Sequence, residues 1–233
     1  MKRMLFAAAV FMVVAFVANA DDVDVTLKSG DLSFLKAQGE YAYLEIDWSK
    51  AQVVEFGRNM SVDKSFGTVA QYNQKQGADW VRDWPEVQRR ATEGVILKKN
   101  GPICFNKKNK KGVQMSSSPA TWKFYTTTKD TDEKESYDKH YLMIDPAKAK
   151  YKFVVTVNQI DMGNGAASAF GMGVNTGGAM MKGSMKAVEI KTGKTLATFD
   201  INECKGWGNY SQYIRLQMLF SVLFAEGVYP LAK

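Results

Sequence analysis

Tyr151-Lys-Phe-Val-Val-Thr-Val-Asn-Gln-Ile160 is the stretch on which the fold turns. It is rich in β-branched and aromatic residues, its centre is apolar, and no Gly or Pro interrupts it, so it reads as a strand. Residues 180–190 and 194–201 form two further strands, joined at Lys191-Thr192-Gly193-Lys194 by a tight hairpin turn. In the first of these, Met185, Ala187 and Glu189 alternate with Lys186, Val188 and Ile190, so both faces are partly covered. Tyr210 to Phe224 then reads as an apolar helix. Tyr213, Leu216, Phe220 and Leu223 form one stripe, Ile214, Met218 and Val222 widen it, and Gln212, Arg215, Gln217 and Ser221 leave a narrow polar side. Such a helix packs against a sheet or against a partner.

Upstream, residues 40–48 read as a strand, and Val53-Val54-Glu55-Phe56 continues it after a turn near Ser49-Lys50. Asp83 and Glu86 have capping-box spacing, and Pro85 falls in the first turn, which predicts a helix starting at Asp83. Trp84, Val87, Ala91 and Val95 supply its buried stripe, and Gly101-Pro102 stops it. A short helical turn through Phe105 follows. Residues 113–125 read as edge strand and loop, and the charged stretch from Thr126 to Lys139 as an exposed loop. The order β-α-β-β-β-α predicts an α+β fold, a mainly antiparallel sheet with helices packed on one face. The expected organisation is one domain over 21–233, with a charged insertion near 126–140 and a Gly/Met-rich loop at 162–181.

The chain has 233 residues, 45% of them hydrophobic and 24% charged, enough apolar material for a sizeable core. Lys2 and Arg3, the uncharged run Met4 to Val17 and Ala18-Asn19-Ala20 have the layout of a secretory signal peptide. Asp21, Asp22 and Asp24 after the cut favour release over an uncleaved anchor. The expectation is an exported protein of the periplasm or cell envelope, with no stable transmembrane helix once residues 1–20 are removed. The whole chain carries a formal charge of +7. The densest basic run, Lys107-Lys108-Asn109-Lys110-Lys111, has no interleaved aromatics and gives no expectation of nucleic-acid binding. Cys104 and Cys204 lack redox or zinc spacing. Export would permit them to pair, and the sequence leaves a disulfide and two reduced thiols equally open.

Ala149 to Asp161, followed by a glycine-rich loop, Lys182 to Ile190, Thr192-Gly193-Lys194-Thr195-Leu196-Ala197 and a closing helix, resembles a group of bacterial envelope proteins. The group includes the curli-secretion pore family and the N-terminal domain of TolB. The resemblance covers roughly residues 80–230 and is one of element pattern. It implies an α+β envelope domain and supplies no catalytic residue. The chain lacks the lipid-attachment cysteine of many members, which sets it apart from anchored, pore-forming ones.

No pattern of catalytic, cofactor-binding or metal-ligating residues is expected. His140 has no orienting partner in sequence. Asp130, Asp132, Glu133 and Glu135 lack the glycine and terminal glutamate of a calcium loop. No spacing singles out a hydrolytic carboxylate pair. Lys182-Gly183-Ser184 has the wrong order for a phosphate loop. From Met162 to Met181 there is no charged residue, and the adaptable side chains suit a partner-contact loop as well as a plain connection. Phe170, Met172, Val174, Met180 and Met181, with Trp207 in its glycine-flanked loop, are the candidate contact residues. Trp48, Trp80, Trp84, Trp122 and Trp207 leave a sugar platform open, although Trp80 and Trp84, four apart, suit a helix core. The leading expectation is a non-enzymatic envelope protein acting on another envelope protein or a second copy of itself. The alternatives are a secreted hydrolase and a glycan or small-ligand module.

Overall fold

The segment read first is the spine of the sheet. In a computed structural model that describes residues 23–96, 105–163, 178–206 and 211–232, β6 (Tyr151–Asp161) pairs antiparallel with β7 (Met180–Glu189). β7 pairs antiparallel with β8 (Thr195–Lys205), and β8 with β1 (Val23–Gly30), which forms one edge. On its other side β6 runs parallel to β2 (Tyr41–Asp47) and, further along, to β3 (Gln52–Phe56). Both β2 and β3 therefore lie along the same flank of β6, divided by a turn in which Ala51 N–H donates to Trp48 O at 3.1 Å. The two-residue β5 (Gln114–Met115) extends this side beyond β2, and β4 (Val62–Thr68) closes a hairpin with β3. The sheet is mixed and mostly antiparallel, and the fold is α+β.

Alternation along the strands sets which face carries the core. Tyr151, Phe153, Val155 and Val157 of β6, Met185 and Ala187 of β7, and Phe199 and Ile201 of β8 all point into the main core. The residues between them form an open polar face, where Lys28 pairs with Asp200 at 2.8 Å and Lys152 with Glu45 at 3.0 Å. The core face is covered by α2 (Ala78–Ala91), the 3-10 turn Thr92–Ile96 and α6 (Gln212–Val222). The last helix continues through a π-helical stretch, Leu223–Val228, to a final turn, Tyr229–Leu231. By length and composition Gln212–Leu231 could cross a membrane, yet 67% of its most apolar stretch is buried in the protein.

Several expectations need correction. The first strand, Val23–Gly30, alternates Val23, Val25 and Leu27 with polar neighbours and was not anticipated. α1 (Val69–Gln76) is an additional helix, begun by a capping box between Thr68 and Gln71. The helix expected from Asp83 starts at Ala78, after Gly77, and contains Pro85 within it. It ends at Ala91, well before Gly101. Trp122, Phe124 and Tyr125 lie on α4 (Pro119–Thr127), capped by Ser118, and only Gln114–Met115 is strand. The charged stretch after Thr126 is mostly helix α5 (Thr131–His140): Asp130 caps it, with acids in its first turn and Lys139 and His140 in its last. The short turn expected near Phe105 is α3 (Phe105–Lys108).

The last helix buries Leu216, Phe220 and Leu223 of its expected stripe, and it is enclosed on more sides than its sequence reading implied. Gln212, Arg215, Gln217 and Ser221 are buried, whereas Tyr213, Ile214 and Met218 are partly exposed. Its polar side is thus buried along with the apolar stripe, and Arg215 and Gln217 enter the sites below.

Candidate functional site

The Gly/Met-rich segment leaves the sheet between β6 and β7, and its feet are held by polar side chains. Asp161 Oδ2 accepts the Phe56 N–H at 3.0 Å, and its Oδ1 accepts the Gly163 N–H at 2.8 Å. Arg215, on α6, donates from Nε to Met162 O at 2.9 Å and from Nη2 to Gly163 O at 3.4 Å. Gly206 N–H donates to Ala179 O at 2.7 Å on the returning side. Burial pushes the Asp161 carboxyl up and the Arg215 guanidinium down, the cost of placing charge in a site of reduced polarity. Burial, with Asp161 nearby, also raises the Tyr72 phenol.

A small second apolar cluster borders these feet. Val54, Phe56 and Met60 are buried there, and Met180 packs on them. The β3–β4 turn that carries Met60 puts Asn59 and Met60 at φ of 55° and 56°, a left-handed pair without glycine. Lys182 Nζ donates to Met60 O at 2.9 Å and lies 5.7 Å from the Phe56 ring centroid. Of the expected contact residues, Met180 is therefore at the foot of the segment and half-buried, while Met181 is fully buried in the main core and offers no contact surface. Phe170, Met172, Val174 and Trp207 lie outside the described residues. So do Cys104 and residues 1–20. Cys204 is buried beneath α6, its thiol 3.5 Å from Leu219 O.

A groove runs along α2 beside the end of β2. It comprises adjoining hollows of about 500 and 730 Å3 that share Ile46, Asp47, Trp48, Pro85 and Gln88. Trp48 and Trp84 meet edge to face there, 5.4 Å between centroids. The side chain and N–H of Ser49 hold the Asp47 carboxyl below its usual range. Trp80 stands apart, bonded to Asn73 Oδ1 at 2.5 Å and edge-on to Tyr72. Trp122 is on α4 beside Tyr125. The aromatic set thus divides, with two members at the groove.

Behind the groove is a cluster that the sequence did not suggest. Glu93, 1% exposed, accepts from Arg89 Nη1 at 2.7 Å, from the Tyr137 hydroxyl at 2.7 Å and from Gln217 Nε2 at 3.1 Å. Arg89 also bonds Glu86 and stacks over Phe124, 3.8 Å from the ring centroid. These contacts join α2, α4, α5 and α6. Burial pushes the Glu93 carboxyl up to about 7, against the opposing pull of Arg89 and the Tyr137 hydroxyl. His140, at the C-terminus of α5, is not among these partners. Among the described residues, no three His, Cys, Asp or Glu side chains are grouped to hold a metal ion.

No protein-family model matches the chain, and no curated protein matches it. Among solved structures, it is similar to the PelC dodecamer from Paraburkholderia phytofirmans, with TM-score 0.33 and 11% identity over 86% of this chain and 94% of that one. A point variant of the same dodecamer gives TM-score 0.33 and 9% identity over 87% and 96%. Likeness at this distance assigns neither function nor assembly.

Proposed function

We propose that the chain is an exported, non-enzymatic cell-envelope protein that acts through contacts with another envelope protein or a second copy of itself, made by the segment 162–181. The observation that carries this reading is the frame at the foot of that segment. Asp161 and Arg215, both costly to bury, fix the Met162 and Gly163 backbone. The uncharged segment they hold adjoins the Val54, Phe56, Met60 and Met180 cluster. Export is supported by the basic, apolar and small-residue order of residues 1–20.

The test is deletion of residues 166–177, which spares the buried Ala179 and its bond to Gly206, together with cross-linking in intact cells. The deletion chain is expected to melt cooperatively near the wild-type midpoint and to lose the wild type's cross-linked products. Unchanged cross-links would refute the contact role. Terminal sequencing of the protein recovered from cells checks export: a mature chain that begins at Met1 would count against it.

A second reading, a glycan or small-ligand module, is favoured by one observation: Trp48, Trp84 and the ionised Asp47 converge on the groove. Quenching of tryptophan fluorescence by neutral oligosaccharides, lost in Trp48→Ala, would promote it over the first.

A further inference from the structure

The strand ends opposite the Gly/Met-rich segment gather four surface stretches into one pole. Asp31 N–H donates to Leu196 O at 3.1 Å, and Val113 N–H donates to Leu35 O at 2.9 Å. Gln114 N–H donates to Glu40 O at 3.0 Å, Lys150 N–H to Tyr41 O at 2.9 Å and Ile190 N–H to Lys150 O at 2.9 Å. These bonds tie together residues 31–40, 105–113, 145–150 and 189–194. The Phe34 and Tyr151 rings, 4.8 Å apart, pack beneath them.

The four stretches hold nine lysines (36, 107, 108, 110, 111, 148, 150, 191 and 194) and four carboxylates (Asp31, Glu40, Asp145 and Glu189). All nine lysines are exposed. The acids are already engaged. Asp31 and Asp145 accept from backbone N–H groups two residues on, Glu189 accepts from Thr192, and Glu40 pairs with Lys150 at 3.3 Å. Lys108 turns to Ala225 O at 3.2 Å and Glu226 at 3.8 Å, which leaves most of the others facing water. The whole chain has 31 basic and 24 acidic residues, of which Lys2 and Arg3 fall in residues 1–20. Outside those twenty residues and the pole, basic and acidic side chains are equal in number, so the excess charge of the chain beyond residue 20 is concentrated here. Ile190, 37% exposed, stands at the hairpin tip between the lysines of this pole.

We propose that this pole docks the protein on an anionic lipid bilayer, with the lysines against headgroup phosphates and Ile190 entering the interface. A bilayer is the occupant that the pattern fits: single charges spread over several loops at one end, around an apolar tip, present a broad face rather than a pocket. Each lysine brought to such a surface strengthens partitioning about fivefold, and the effect decays over a Debye length of about 8–10 Å.

The experiment is co-sedimentation of the full chain with vesicles of phosphatidylcholine, alone or with about 30% phosphatidylglycerol, at about 0.05 and 0.3 M salt. Binding to the anionic vesicles is expected at low salt and is expected to fall at high salt. The variant Lys110→Gln/Lys111→Gln/Lys191→Gln/Lys194→Gln is expected to lose at least tenfold in partitioning. Lys64→Gln/Lys75→Gln, with two exposed cations removed from β4 and α1 away from the pole, is expected to match the wild type. Equal binding to neutral vesicles, equal losses in both variants, or tighter binding to soluble polyphosphate than to vesicles would each overturn the assignment. Every substitution is at the surface, and the melting midpoint of each variant verifies its fold.

Discussion

Glu93→Gln tests the buried cluster most directly, because the substitution keeps size and shape while removing one titration. In the folded protein burial pushes the carboxyl up to about 7, against an ordinary value of 4.5. A folded value above the unfolded one means that the group favours folding while protonated. Its contribution is full below about pH 4.5 and is lost as pH rises through 7. A gap of about 2.5 units corresponds to about 3 kcal/mol. Urea unfolding followed by tryptophan fluorescence, at several pH values from 4.5 to 8, would measure the stability of both proteins. All other titrating groups are common to the two, so the difference between them isolates Glu93. Wild type is expected to lose about 3 kcal/mol relative to the variant between the ends of that range. A flat difference, or one that moves in favour of wild type with rising pH, would refute the reasoning. It would mean that Arg89, Tyr137 and Gln217 hold the carboxylate ionised in spite of its burial.

Other perturbations reach other parts of the molecule. Phe220→Ala empties a fully buried site whose ring meets Trp48 edge-on at 6.3 Å, and a loss of about 3–5 kcal/mol is expected in chemical denaturation. Gly94→Ala would put a methyl group 2.0 Å from Gln217 O where the Thr92–Ile96 turn meets α6, and about 1–3 kcal/mol should be lost; wild-type stability would show that the two elements can separate at no cost. Thr68→Ala removes the half of the capping box of α1 in which Gln71 N–H donates to Thr68 Oγ1 at 3.3 Å, and about 1 kcal/mol is expected in the same assay.

The parts of the fold that local chemistry determines were legible. β6, β7 and β8 follow from alternation and from the turn at Lys191–Lys194, and the apolar helix over them from its stripe. α5 was not legible by hydrophobic pattern, since Tyr137 is its one buried residue; the signal lay in Asp130 with Glu133 three places on, followed by terminal cations. The start of α2 was misplaced because Asp83 and Pro85 imitate a helix opening, whereas Gly77 makes the actual break after α1. The inward-facing Arg215 and Gln217 could not be read from a helical wheel. Their partners, Met162 and Glu93, lie 53 and 124 positions away in the chain. The Gly/Met-rich segment was legible as composition and the polar frame at its feet was not, for the same reason of sequence distance.

The pairing of β1 with β8 sets Val23 opposite Cys204. During synthesis the opening strand can find no seat until almost the whole polypeptide has emerged from the ribosome. The roof of the core, residues 212–228, arrives later still. Contacts this remote in sequence close slowly, so the edge at β1 and the cover over the core are the last parts of the fold that can be completed.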